Sequence, residues 1–406
     1  MKKNIIWNTI GSLTISITSL FYTIILTRCS TLEEAGIYTI AFALACNTVT
    51  LASFGGRTYQ VTDTKNEIHP FSYILSRYMT VGATIVLLLL YLFSKDYSVY
   101  KSLIIFLLCI FKYLEEVSDV YCGILQKKDQ LYKVGQFQFA KSILNVLLFF
   151  LIIYFQGSLL YAIIAMILVN LSFVLFFERK NALKCEKWEY KVYKKELIQY
   201  FKANLFICLL MFLTNYLINA PKYAIDQFLS SDVQAIFGII IMPATVMMLV
   251  GSFIMNPLLV NIARIFNEKK HKELNRLIIK IIGLISALGL CGLVVAYFLG
   301  IPVLNFVYGL DLSPYKTPLM IIIVGSIFYT ITAVLSTIFV AMRKIKSQVI
   351  LNLILCVFAF LLSYYLVGQI DIMGGAIAYL IIVVLRFIGY MALFFVHSRK
   401  VVVINE

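Results

Sequence analysis

The feature that most constrains this chain is the recurrence of apolar runs about 20 residues long, the length an α-helix needs to cross a bilayer. Reading for such runs predicts twelve helices, near residues 5–27, 35–55, 78–94, 101–123, 134–155, 158–177, 203–222, 235–256, 277–300, 318–341, 347–367 and 374–397. The eighth runs on toward Ala263 through Pro243 and Pro257. Of the 406 residues 61% are hydrophobic and 14% charged, against about 45–50% and about 25% in a soluble domain. A soluble chain could not bury so much apolar surface, so the expected fold class is an all-α polytopic membrane protein. The run from Ile5 to Thr27 is too long for a signal peptide, and no small-x-small cleavage site follows it. It reads as the first membrane helix, retained.

The net charge of +15 does not point to nucleic acid, because the basic residues fall in short clusters between apolar runs. That is the pattern of juxtamembrane lysines. With the N-terminus inside, 28 of the 35 Lys and Arg residues lie in cytoplasmic segments and their flanking helix ends. The other side holds Arg28, Lys95, Lys101, Lys222 and Lys316, while Lys112 and Arg386 fall within helices. Both termini are therefore expected in the cytoplasm. The eight cysteines lie mostly inside apolar runs with no metal-ligand spacing, and His69, His271 and His397 stand apart, so neither a metal nor a disulfide framework is expected.

Two six-helix halves are expected, 1–177 and 203–406, joined by a cytoplasmic segment over 178–202. In that joint Tyr193, Leu197 and Tyr200 recur at helical spacing among lysines, the pattern of an amphipathic helix lying on the inner leaflet. "STLEEAGIYTI" (30–40) and "SSDVQAIFGII" (230–240) share Ser, Ala and Ile at an offset of 200, which fits a parallel repeat of the halves. Six of the seven prolines lie in the second half, where bent helices would supply hinges.

The fourth predicted helix carries Lys112, Glu115, Glu116 and Asp119. At 100° per residue they occupy one stripe about 100° wide, which cannot face lipid and so faces a partner helix or water. One lysine cannot neutralise three carboxylates, so the reading is a stripe lining an aqueous path, with protons or an external cation completing the balance. The other reading is a Lys112 ion pair that merely holds helices together. Arg386 interrupts "LIIVVLRFIGYMALFF" and must find a carboxylate, a phosphate or water. Arg28 and Lys222 end the first helices of the two halves, Arg57 follows two glycines, and Lys141 is read as snorkelling to the interface. Asparagines within the spans, such as Asn145, Asn170 and Asn219, are read as interhelical hydrogen-bonding groups.

Several stretches resemble one family. "FGGRTYQVTDTKNEIHPFSYILSR", "EEVSDVYCGILQKKDQLYKVGQ", "NAPKYAID" followed by "IFGIIIMPATVM", and "VLNFVYGLDLSPYK" are similar to the polysaccharide-unit flippases of the Wzx type. These belong to the multidrug/oligosaccharidyl-lipid/polysaccharide (MOP) exporter superfamily. The resemblance covers essentially the whole chain. It implies two six-helix bundles around a V-shaped cavity that opens to either leaflet, in a bacterial cytoplasmic (inner) membrane. It also implies an undecaprenyl-pyrophosphate-linked oligosaccharide as substrate, for O-antigen, capsule or a related glycan, with a polysaccharide polymerase complex as a possible partner. Under it Arg28, Arg57, Lys112, Lys222 and Arg386 become candidates for holding the pyrophosphate and acidic sugars. Glu115, Glu116, Asp119 and Asp226 become candidates for binding H⁺ or Na⁺ and coupling a gradient to transport. No bond is made or broken, so neither a catalytic residue nor a cofactor beyond the gradient is expected. Three rivals stay open: a cation-coupled small-molecule exporter of the same superfamily, a membrane polysaccharide polymerase, and a lipid scramblase or peptidoglycan-precursor flippase, the last of which typically has two more helices. The polymerase usually needs a large outward loop, whereas the longest external connection here runs only from Gly300 to Lys316.

Overall fold

A computed structural model describes residues 2–63, 65, 67–185, 190–255, 258, 262, 264–265, 268 and 270–403. Every regular element among them is a helix. In chain order these are α1 (Lys2–Cys29), α2 (Leu32–Ser53), α3 (Gly56–Thr62), α4 (Pro70–Phe93), α5 (Val99–Lys127), α6 (Leu131–Gln156) and α7 (Leu159–Ser172). A π-helical turn (Phe173–Glu178) carries α7 on into α8 (Arg179–Leu183). There follow α9 (Lys194–Phe228), α10 (Ser231–Ile240), α11 (Met242–Met255), α12 (His271–Val295), a π-turn (Ala296–Gly300), α13 (Ile301–Tyr308), α14 (Lys316–Ala341) and α15 (Ile345–Val403). The stretch from Pro257 to Ala263, through which the eighth predicted segment runs on, lies outside the described residues apart from 258 and 262.

Ten of these helical segments are long and apolar enough to cross a membrane, and the chain is a multi-pass membrane protein. Two features reconcile that figure with twelve expected spans. α5 is long enough, but its charges keep it out of the ten. α15 is not one rod: at Ile370 and Asp371 the backbone leaves helical geometry, with φ of 49° at Asp371. The chain folds back there, so a Cβ on Gly374 would lie 2.1 Å from the Leu366 carbonyl oxygen.

The chain divides into two compact units, Met1–Phe212 and Leu213–Glu406, which meet inside α9. α9 begins at Lys194, well before the expected 203. Leu197 and Tyr200 are 9% and 3% exposed, so this stretch packs on protein and does not lie on the leaflet as expected. The reason is an aromatic cluster: the Tyr200 ring sits 6.4, 6.0 and 5.9 Å from those of Phe54, Tyr59 and Tyr73. Interlocking rings bury apolar area and add edge-to-face attraction. Glu196 in the same turn accepts hydrogen bonds from the His69 backbone N–H (2.9 Å) and the Ser72 hydroxyl (2.6 Å), at the start of α4.

In the first unit the segments richest in lysine and arginine gather at one end. Asn4 in α1 donates to the Asp129 carbonyl and accepts from the Tyr132 N–H at the α5–α6 turn. Lys127 in that turn donates to the Asp63 carbonyl between α3 and α4 (2.8 Å). The sparsely basic connections meet at the other end, where the Tyr100 hydroxyl donates to Glu34 (2.7 Å).

Asp63 holds the basic end together. Its carboxylate is 6% exposed and accepts from the N–H groups of Glu67 (2.9 Å) and Ile68 (3.2 Å) and from the Tyr73 hydroxyl (2.9 Å), with Lys127 Nζ at 3.9 Å. Burial by itself would raise its pKa, but these hydrogen bonds and the nearby ammonium together hold the group below the usual carboxylate range. A lowered folded-state pKa stabilises fully above the unfolded value, about 4, and the contribution fades as pH falls through that value toward the folded one. Unfolding of Asp63→Asn is therefore expected to show a shallower loss of stability than the parent as pH falls below about 4. Equal slopes for the two proteins in acid denaturation would contradict the assignment.

Candidate functional site

The charged stripe sits on α5, and its partners come from α5 itself and from two neighbouring helices. Lys112 Nζ donates to Glu115 Oε2 at 2.8 Å within the stripe. Arg77 of α4 pairs with Glu116 at 2.8 Å and lies 4.0 Å from Asp119. Arg57 of α3 pairs with Asp119 and donates to Gln126 Oε1 through Nε (3.2 Å) and Nη2 (3.0 Å). Each carboxylate of the stripe thus has a basic partner. The inference that one lysine leaves two carboxylates unbalanced is corrected: an external cation is not needed to neutralise the fixed charge.

Local backbone geometry brings the two arginines in. Phe54 and Gly55 both adopt left-handed conformations, with φ of 49° and 68°, and turn the chain sharply from α2 into α3. Next to them, a Cβ on Gly56 would lie 2.5 Å from the Tyr200 hydroxyl and 2.7 Å from Arg77 Nη2. Only hydrogen at this position leaves room for both groups. Arg77 is 2% exposed, and its Nη1 also donates to the Ala52 carbonyl at 3.0 Å.

A fourth ion pair lies deeper. Lys141 of α6 donates to Glu178 Oε1 and to Ser118 Oγ, both at 2.9 Å. Glu178, with no exposed surface, closes the π-helical turn after α7. A π-turn inserts a residue into the helical ladder and re-aims the side chains that follow it. Beside this pair is a cavity of about 190 Å³ walled by α1, α5, α6 and α7, lined among others by Glu115, Glu116, Asp119, Gln138, Lys141 and Asn145. Gln138 Oε1, Asn145 Oδ1 and Glu178 Oε2 accept no hydrogen bond from the protein. Buried acceptors in a polar space attract donors, meaning water, a hydrated proton or a small hard cation. Among the described residues, no three His, Cys, Asp or Glu side chains converge as a metal site.

No family model matches the chain. It is 20% identical over 403 residues, spanning 98% of this chain and all of the other, to the capsular polysaccharide biosynthesis protein CapF of Staphylococcus aureus. Among solved structures it superposes on the lipid II flippase MurJ in an inward closed conformation with a TM-score of 0.72 and 14% identity, covering 95% of this chain and 87% of that one. It superposes equally well on an inward-facing multidrug resistance MATE transporter of the MOP superfamily, at 0.71 and 12% identity, over 96% and 95% of the two chains. The fold is that of the MOP transporters.

On this MOP fold the predicted site residues separate into groups. Arg57, Lys112, Glu115, Glu116 and Asp119 come together in the first unit. Arg28 is exposed at the far end of α1. Lys222 and Asp226, both half-buried, lie one turn apart on α9 in the second unit. Arg386, also in the second unit, is 1% exposed and bonded to neighbouring helices. Sequence reasoning missed Arg77 and Glu178 because it started or stopped their helices next to them, at 78 and 177, and it named Lys141 only as a snorkelling residue. Pro70 after His69 marks the start of α4, since proline favours the first helical position; that signal puts Arg77 two turns inside the helix. Lys141 lies likewise well inside α6 and is buried, so it does not snorkel.

Proposed function

We propose that this protein carries an undecaprenyl-pyrophosphate-linked oligosaccharide from the inner to the outer leaflet of a bacterial cytoplasmic membrane, for capsular or related surface polysaccharide. The observation that carries the reading is the end-to-end match to a capsular polysaccharide biosynthesis protein, made on a fold that also serves a lipid II flippase. The TM-scores of 0.72 and 0.71 do not separate lipid flippase from multidrug exporter, so the substrate reading rests on the CapF match. A pyrophosphate and hydrated sugars cannot cross hydrocarbon unaided, whereas a polyprenyl tail stays in lipid throughout. The basic end of the first unit faces the cytoplasm in this reading, following the distribution of lysine and arginine. Arg28, Arg57, Lys112 and Lys222 are the groups we assign to the anionic headgroup, on their charge; Arg386, 1% exposed and held by Asn352 and Thr214, is not among them.

Coupling to an H⁺ or Na⁺ gradient is part of the same proposal. Glu115, Glu116 and Asp119 reach a polar cavity with orphaned acceptor oxygens, a place where a proton or cation can exchange against the fixed ion pairs. Asp226 is the corresponding candidate in the second unit. A polysaccharide polymerase complex on the outer side is the expected consumer of the product.

The test is the sidedness of lipid-linked glycan in cells lacking the protein. Single repeat units accumulating on the cytoplasmic side, protected from an external glycosidase, are the expected result. Unpolymerised units exposed outside would indicate a polymerase, and a normal lipid-linked pool would indicate a small-molecule exporter. Collapsing the H⁺ and Na⁺ gradients separately in vesicles that perform the step identifies the coupling ion; transport that survives both would overturn the coupling.

A further inference from the structure

Arg386 is the one buried charged side chain of the second unit among the described residues. Its Nε donates to Asn352 Oδ1 at 3.3 Å and its Nη2 to Thr214 Oγ1 at 3.0 Å. Asn352 in turn donates to Thr214 Oγ1 at 3.2 Å. The guanidinium carbon stands 5.7 Å from the centre of the Tyr329 ring and 5.4 Å from that of Tyr390. No Asp or Glu among the described residues pairs with it.

A buried charge without a counter-charge is costly, and something must compensate it. Here the groups that meet it are two neutral oxygens and two aromatic rings, on α9, α14 and both arms of α15, while Nη1 donates to no group among the described residues. Lone pairs and the negative faces of π systems favour a cation and repel an anion. The arrangement is the inside of a cation site, and the occupant is the chain's own side chain.

We propose that this is a monovalent-cation site permanently filled by the tethered guanidinium of Arg386. Its always-charged group bridges the helices that an exchangeable ion would otherwise bridge. The second unit then holds this charge at this position in every step of a cycle, and exchange of the coupling ion takes place elsewhere, at the cavity of the first unit and at Asp226. That last consequence rests on the transport reading above; the cation site itself does not.

The test reads stability, so it is independent of transport. The purified full-length protein is unfolded thermally in detergent, parent against Arg386→Ala. The variant should lose several degrees of midpoint and regain most of them, saturably, with guanidinium or methylguanidinium at low millimolar concentration, far below denaturing levels. Sodium and potassium should restore less, because they lack the fork that reaches both oxygens, and the parent should not respond. Adding Thr214→Val and Asn352→Ala to the variant should abolish the rescue. An Arg386→Ala protein as stable as the parent, or one that no cation restores, would overturn the proposal. So would stabilisation of the parent, and not of the variant, by phosphate or sulfate, since the guanidinium would then be balanced by an anion. If Arg386→Ala does not fold, Asn352→Asp decides: a carboxylate facing the guanidinium should raise the midpoint at neutral pH, and a lowered midpoint would refute the cation site.

Discussion

Replacing Glu178 with alanine is expected to destabilise the first unit by about 3–5 kcal/mol, the cost of leaving an uncompensated buried charge behind. The lysine left behind, Lys141, is 7% exposed and sits inside a bundle that spans the membrane. Its Nζ would retain Ser118 Oγ at 2.9 Å as a partner, and one hydroxyl offsets only about 1 kcal/mol or so of that cost. Measured against total stabilities of about 5–15 kcal/mol, the loss should be visible as poor recovery from detergent and a sharply lowered unfolding midpoint. The double replacement Lys141→Met with Glu178→Leu separates charge from packing. Buried ion pairs exchanged for apolar residues of similar volume are often neutral or stabilising, so the double variant should be far more stable than Glu178→Ala alone. If both variants lost stability equally, the pair would matter for its shape and not for its charge.

The second large effect is expected at Gly135. A Cβ there would lie 2.1 Å from the Trp7 carbonyl oxygen and 2.7 Å from the Asn8 nitrogen, both backbone atoms of α1. Across the same contact, a Cβ on Gly11 would lie 2.7 Å from the Gly135 carbonyl oxygen. Small residues let helices approach this closely in a membrane, where dispersion and not the hydrophobic effect holds them together. Taking glycine out of a helix ordinarily gains about 0.8–1.0 kcal/mol. Backbone on backbone has no rotamer to yield, so overpacking of about 1–3 kcal/mol or more wins for Gly135→Ala, and Gly135→Val adds β-branched bulk. The net expectation is a loss of at least about 1–2 kcal/mol for valine, with a change in Trp7 fluorescence as α1 shifts. Gly82 on α4 is the control: nothing lies within 4 Å of its added Cβ, so Gly82→Ala should be neutral or slightly stabilising. A Gly135→Val protein that unfolds with the parent's midpoint would mean that α1 and α6 are not in backbone contact.

Both residues show where legibility ended. The stripe on α5 was readable because 3.6-residue periodicity places Lys112, Glu115, Glu116 and Asp119 on one side of any helix, whatever surrounds it. What faces that side was not. Arg77 and Arg57 reach it from elements 39 and 62 residues earlier in the chain, and no local pattern encodes such a distance. Glu178 was hidden for a different reason: its burial depends on a π-turn, and nothing in "FVLFFE" announces that the ladder will slip by one residue there.

Composition and the spacing of apolar runs were enough to set the class of this protein. Apolar runs of spanning length leave the backbone no choice but helix in a bilayer, since hydrocarbon offers unpaired N–H and C=O groups no partners. The tertiary structure alone decided how the polar groups inside those helices are spent. It gave every carboxylate of the α5 stripe a basic partner, drew the start of α9 onto the first unit through the Tyr200 cluster, and enclosed Arg386 among neutral oxygens and rings. Charges in a medium of low dielectric constant interact according to where they meet in space, and that meeting is set by packing between segments far apart in the chain.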